Sequence, residues 1–287
     1  MNEPREEVRF AAVGDLHCTE ASAGTLRQYL AQATEGADAL LLCGDLTDYG
    51  TEREAAVLAD ELGVVAIPVV AVLGNHDFES GLADEVRRIL QGAGVQVLDG
   101  EAIEVHGVGI AGAKGFAGGF GSASLGAWGE PAIKAFVSEA LKEAMKLESA
   151  LAKLRTRHRI AMLHYAPVAA TVQGEPPEIF AFLGSSRLED ALLRYPVDFV
   201  VHGHAHRGTL EGRTVNGVPV YNVARPLLQR SFGDRPPMRP TRSPGTRRRR
   251  PTAAPPWWPT RPTSKATWAA PPWPPSRWPT TRPRRPR

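Results

Sequence analysis

Cysteine is nearly absent: two residues in 287, Cys18 and Cys43, which excludes a disulfide-stapled scaffold. Each lies beside a motif residue at the end of a predicted strand and reads as a small buried thiol. Long apolar runs are missing too. The longest, Val64 to Leu73, is interrupted by Pro68 and is too short to span a bilayer. Met1 to Val8 carries four charges and no apolar stretch, against the pattern of a secretory leader. The expectation is a cytoplasmic protein in reducing surroundings, with no membrane partner.

Acidic residues are absent after Asp234. Residues 235–287 hold 13 Arg, 1 Lys, 16 Pro and 5 Trp, with no Asp or Glu. Removing those 14 cations from the chain's 34 leaves 20 Lys plus Arg against 31 Asp plus Glu, a net −11 for residues 1–234. The overall charge of +3 therefore conceals an acidic body, which repels polyanions and argues against nucleic acid as a partner except through the basic tail. Two segments follow: a folded domain over 1–234 and a Pro/Arg/Trp-rich tail over 235–287. The tail has no hydrophobic period with which to bury a core, so its composition predicts disorder, with neither ligands nor packing contributed. Its abrupt onset and its Pro, Arg, Thr, Ala and Trp bias match an out-of-frame reading of a GC-rich gene, the alternative being an arm that binds through Arg and Trp.

Within the body, residues 8–14, 39–43 and 67–73 are short apolar runs ending in glycine-containing turns, and they read as buried strands. Ser22 to Glu35 and Thr51 to Leu62 repeat apolar residues at three and four positions, with Ser22 and Thr51 as N-caps. The alternation predicts an α/β fold with a parallel sheet. A helix over 79–91, thin strands near 95–98, 103–106 and 108–111, a long helix opened by Pro131 and running to about Arg157, and strands at 159–163, 198–202 and 218–223 complete the pattern. Between Gly112 and Gly129, seven glycines accompany Phe116, Phe120 and Trp128, which reads equally as a loop that covers a site or as a plain low-complexity surface loop.

Polar residues follow five strand ends at once: Asp15-Leu16-His17, Gly44-Asp45, Gly74-Asn75-His76-Asp77, His164, and Gly203-His204-Ala205-His206. In an open parallel sheet, ligands gather outside the carboxyl ends of strands. Extended residues two apart point to one side, which would aim Asp15 with His17 and His204 with His206. The glycines before Asp45, Asn75 and His204 permit close backbone approach. Five of the 8 histidines fall in these motifs, and a set of imidazole and carboxylate without thiolate suits Mn, Fe or Zn.

These residues resemble the calcineurin-like metallophosphoesterases: DLH at 15–17, GDLTD at 44–48, GNHD at 74–77, His164 and GHAH at 203–206 appear in the family's order. The resemblance implies a sandwich of central β-sheets flanked by helices, with two divalent ions at the carboxyl ends of strands. One ion would be held by Asp15, His17, Asp45 and His206, the other by Asp45, Asn75, His164 and His204. Asp45 would bridge them, while His76 would face the substrate. It further implies in-line hydrolysis of a small phosphate ester, monoester or diester, by a metal-bound hydroxide. His76 would stabilise charge and protonate the leaving group, and Asp77 would orient its imidazole. Asp48 reads equally as a partner of the site or as a turn and cap residue, His202 as a satisfied strand histidine, and Arg225, in a turn at 222–226, as a surface salt-bridge residue first and a candidate contact for phosphate second. A nuclease and a non-catalytic scaffold are the competing functions; the acidic body opposes the first and the intact ligand set the second.

Overall fold

The computed structural model of the chain describes residues 7–233, and the tail at 235–287 lies outside the described residues. Four strands, β1 (Phe10–Val13), β2 (Ala39–Cys43), β3 (Val69–Val72) and β4 (Gln96–Val97), form a parallel sheet in that order. The crossovers are helices α1 (Arg27–Ala33), α2 (Glu52–Glu61) and α3 (Ala83–Gly92). β2 and β3 are buried at every residue, which is why their sequences are continuously apolar and not alternating.

The second sheet has six strands in the order β5-β6-β7-β8-β10-β9: β5 (Glu101–Val105), β6 (Val108–Gly112), β7 (His158–Met162), β8 (Phe199–His202), β9 (Glu211–Arg213) and β10 (Pro219–Asn222). Its four central strands are parallel, and the edge strands β5 and β9 are antiparallel to their neighbours. Alternate residues divide its two faces. Ile110, Ile160, Met162, Phe199 and Val201 join the core of the first sheet. Ala111, Ala161, Val200 and Val220 pack with Leu147, Leu151, Leu188 and Leu192 of α4 (Pro131–Lys153) and α6 (Ser186–Arg194), a short α5 (Phe180–Leu183) preceding α6. This is the expected sandwich of sheets flanked by helices. Full burial of each such leucine contributes roughly 1.5–3 kcal/mol. No helix among the described residues is long and apolar enough to cross a membrane.

Two local expectations change. Ser22 ends a 3-10 turn and does not cap α1, which begins only at Arg27. The Glu61 side chain instead accepts the Gly24, Leu26 and Arg27 amides at 2.6, 2.7 and 2.9 Å. A carboxylate from α2 thus serves as the cap, a partner that local sequence does not reveal. Thr51 does cap α2, in a reciprocal pair with Glu54. Arg225 opens a helix, α7 (Arg225–Phe232), with Pro226 in its first turn, where a turn was expected. The α7 start is tied to β1 by Gly14 N to Val223 O and Arg225 N to Gly14 O, both 2.9 Å, and so the sheets meet beside Asp15.

Candidate metal centre

The ligand-type residues lie just past the strands: Asp15 after β1, Asp45 after β2, Asn75 after β3, His164 after β7 and His204 after β8. Their loops run on in register, with Asp15 N bonded to Gly44 O (2.9 Å), His17 N to Asp45 O (3.0 Å) and Gly203 N to His164 O (3.2 Å). The backbone is not extended there, contrary to the alternation argument. Asp15, His17, Asp45 and His204 have φ of 58°, 46°, 47° and 69°, the left-handed region that non-glycine residues enter at a cost of about 1–3 kcal/mol each. The fifth such residue, His106 at 51°, stands in the turn between β5 and β6 beside Gly107, as a tight hairpin requires. Among the described residues, strain outside that turn is therefore concentrated on the centre.

Three groups of side chains each offer one ligand atom with all atoms within 4.8 Å: Asp15, His17 and His206; Asp45, His164 and His204; and His17, Asp45 and His76. Asp15 and His17 share a group as their spacing implied. His204 and His206 do not, because the left-handed turn at His204 sends the two rings to different partners. The glycines make room for side chains. A Cβ on Gly44 would enter the His164 ring, one on Gly74 the Asp45 carboxylate, and one on Gly203 the Asp15 carboxylate.

Hydrogen bonding determines which ring nitrogens face inward. Carbonyls and carboxylates only accept, so His17 Nδ1–H donates to Asp48 Oδ1 (2.9 Å), His76 Nδ1–H to the Asp48 carbonyl (2.7 Å), and His164 Nδ1–H to the Cys43 carbonyl (3.0 Å). His204 Nε2–H donates to the Phe182 carbonyl (3.2 Å). In the neutral rings of His17, His164 and His204 the other nitrogen carries a lone pair. That of His164, on Nε2, meets Asn75 Oδ1 at 2.9 Å and Asp45 Oδ1 at 3.3 Å, while His17 Nε2 is buried with no hydrogen-bond partner and lies 3.9 Å from Asp45 Oδ2. Acceptors that converge in a buried place without a donor are costly unless a cation lies among them. Ligand histidines held through their other nitrogen are the usual arrangement around a metal, and this donor set fits divalent ions.

Electrostatics agree. Burial would raise the Asp15 carboxyl, but the hydrogen bond to His206 (3.0 Å) and the nearby imidazoles of His164, His206 and His204 hold it below its ordinary value. Burial, then His164, lowers His204 to about 3, leaving it neutral, the form that binds a metal. His206 is raised, first by its bond to Asp15. For His76, burial works downward, yet the Asp48 carbonyl and the charges of Asp45, Asp48 and Asp77 raise it overall.

Asp77 is placed differently from its expected role. Its buried carboxylate accepts from Leu46 N (3.2 Å), Thr47 N (2.8 Å), Thr47 Oγ1 (2.6 Å) and Gly74 N (2.8 Å), bracing the two loops, and the His76 ring is oriented by Asp48. The open reading of Asp48 resolves accordingly: its carboxylate holds His17, its carbonyl holds His76, and Thr51 caps α2 without it. His202 is buried and satisfied, donating from Nδ1 to Gly203 O and accepting from Thr171 Oγ1, both at 2.8 Å, and burial lowers it to about 4. The Arg225 guanidinium lies 4.9 Å over the Tyr29 ring and reaches the Leu16 carbonyl at 3.4 Å. Sequence reasoning missed Phe182, since nothing in 180–183 marks a residue whose carbonyl would steady a ligand. The glycine-rich loop docks on that segment through Gly118 N to Ala181 O (2.8 Å) and Gly119 N to Gly184 O (2.9 Å).

A family model described as calcineurin-like phosphoesterase matches residues 8–208. Among solved structures, the phosphopantetheinyl hydrolase of Mycobacterium tuberculosis is similar at 15% identity, covering 79% of this chain and 93% of that one with a TM-score of 0.56. A Thermus thermophilus protein, TT1561, matches at 17% identity over 77% and 91% of the two chains, TM-score 0.47. A purple acid phosphatase from yellow lupin seeds matches at 17% identity over 75% and 43%, TM-score 0.46. No curated protein sequence matches the chain at a significant level.

Proposed function

The chain, matched over residues 8–208, belongs to the calcineurin-like phosphoesterase family, and from that premise we propose that it hydrolyses a small phosphomonoester or phosphodiester at a dinuclear metal centre. The observation that carries this reading is the pair of ligand groups, Asp15 with His17 and His206, and Asp45 with His164 and His204, with Asp45 also within reach of His17. One ion is assigned to Asp15, His17, Asp45 and His206, the other to Asp45, Asn75, His164 and His204, with Mn, Fe or Zn as the candidates. Bound there, two divalent ions would acidify a water and neutralise charge on phosphoryl oxygens.

The remaining work falls to the chain's own side chains. His76, half-exposed, with Nδ1 committed to Asp48 and a raised proton affinity, presents Nε2 to the substrate and holds a proton there for the leaving alkoxide. Asp48 keeps His17 and His76 in fixed orientations, and Asp77 keeps the loops carrying Asp45 and Asn75 together. Arg225 is left out of this assignment, since its guanidinium is engaged by Tyr29 and Leu16. The proposed compartment is the cytoplasm, a reading supported by two buried unpaired thiols.

The test is metal analysis with a substrate screen. Protein loaded with Mn, Fe, Zn or Ni is assayed on p-nitrophenyl phosphate, bis(p-nitrophenyl) phosphate and cyclic nucleotides. The expected result is close to two ions per chain and metal-dependent turnover of at least one ester; absence of turnover with every metal would overturn the reading.

A further inference from the structure

Five aromatic side chains are exposed among the described residues: Tyr49, Phe78, Trp128, Phe182 and Phe232. Three of them are bound to the centre by the chain itself. Tyr49, 60% exposed, directly follows Asp48, which holds His17 and His76. Phe78, 43% exposed, is two residues past His76. Phe182, 57% exposed, supplies the carbonyl that accepts from His204.

Phe182 and Phe78 are not isolated. Phe182 meets Phe136 at 6.3 Å between centroids, Phe136 meets Phe116 at 5.1 Å, and Phe116 meets Tyr165 at 5.8 Å. Tyr165 in turn packs at 4.4 Å on His204 and at 5.3 Å on His164. The buried ammonium of Lys114 lies 5.4, 5.0 and 5.5 Å from the Phe78, Phe116 and Tyr165 rings, joining Phe78 to the same surface by cation–π attraction. A chain of ring contacts therefore runs from exposed Phe182 through half-buried Phe136 and Phe116 to buried Tyr165 and two imidazoles of the centre, and its exposed end, Phe182 with Phe78 nearby across Lys114, is the apolar wall beside the centre.

Exposed aromatic surface of this kind is retained where something covers it. Because exposed Phe182 is held against His204 through its own carbonyl, one molecule can reach both, phosphoryl group at the centre and organic group on the exposed rings. We propose that the wall takes the organic group of the ester, so that the substrate class is a phosphate ester of an apolar or aromatic alcohol, in preference to a sugar phosphate. This rests on the hydrolase reading above and narrows it.

The experiment varies chain length at constant leaving-group chemistry, using alkyl p-nitrophenyl phosphate diesters and alkyl monophosphates from methyl to hexyl with the Mn-loaded full chain. Alkylphosphonates of the same lengths, titrated calorimetrically, read binding without turnover. Expected is a rise in kcat/KM, and in phosphonate affinity, of up to about fourfold per carbon, the value for full burial of a methylene. Phe182→Ala and Phe78→Ala should each lower the hexyl-to-methyl ratio at least about fivefold, while Phe232→Ala, an exposed ring with no tie to the centre, leaves the ratio in place. A flat profile alongside turnover, as when a protein partner covers the wall, overturns the inference and spares the hydrolase reading. Equal losses in all three variants also overturn it. Steep phosphonate binding with no ester turned over would instead overturn the hydrolase reading, and the substrate assignment with it.

Discussion

Buried carboxylates meet opposite surroundings in two regions of this chain. At the corner between α1 and α2, Glu61 is surrounded by donors: three backbone amides at 2.6 to 2.9 Å, with Arg27 Nε at 3.5 Å. At the centre, Asp45 accepts one amide, His76 N at 2.9 Å, and otherwise looks toward the ring nitrogens His164 Nε2 at 3.3 Å and His17 Nε2 at 3.9 Å. The first arrangement is complete as it stands and does structural work. The second sets a carboxylate and ring lone pairs facing one another, an arrangement that the proposed cations would complete. Burial alone therefore does not mark a functional acid; what marks it is whether the opposing atoms are donors or further acceptors.

Replacing the carboxylate at the centre should have the largest effect. Asp45→Asn is expected to empty both metal positions together and to lower kcat/KM by at least about 10³-fold, the upper range for loss of one charge-stabilising group. Metal analysis decides it, since one tightly held ion with normal occupancy of the other position would contradict the bridge. His76→Ala should keep both ions and slow turnover by about 10²-fold or more, as for loss of a proton-transfer group. Stoichiometric loss of metal would transfer His76 to the ligands, as its grouping with His17 and Asp45 permits.

Asp48→Asn tests the orienting contacts. Its carbonyl still holds His76, but an amide presents a weaker partner to His17 Nδ1–H, so metal affinity should fall by about 10- to 100-fold, read by competition with a chelator. Glu61→Gln should leave metal content and kcat at neutral pH unchanged and cost about 2–3 kcal/mol of stability in urea, because one amide oxygen cannot replace two carboxylate oxygens for three donors. Burial works to raise Glu61, but its backbone bonds and Arg27 outweigh it and hold the group below its ordinary value of 4.5. A depressed folded-state pKa stabilises fully above the unfolded value and is lost as pH falls. The gap between wild type and Glu61→Gln should therefore narrow below about pH 4.5; a constant gap would show that packing, not charge, is at stake.

Much of the architecture was legible because burial leaves a direct trace. β2 and β3 are uninterrupted apolar runs, and Thr51 with Glu54 marks the start of α2. The helix α6 was not anticipated, although Leu188, Ala191 and Leu192 repeat at helical spacing and are buried, because the segment is short and follows an irregular stretch. The start of α1 was misplaced because its cap comes from Glu61, far away in sequence.

The sequence by itself determined the kinds of ligand and their stations, one polar residue just past each of five apolar strands, since strand ends and side-chain chemistry are local properties. Only the tertiary structure shows which backbone turns and contacts orient them. That His204 and His206 serve different groups follows from a left-handed turn at His204, and that Asp48 orients two histidines while Asp77 braces loops follows from which backbone groups approach each carboxylate. Side-chain direction past a strand end is set by φ values and by contacts across two sheets, and neither is encoded in spacing along the chain.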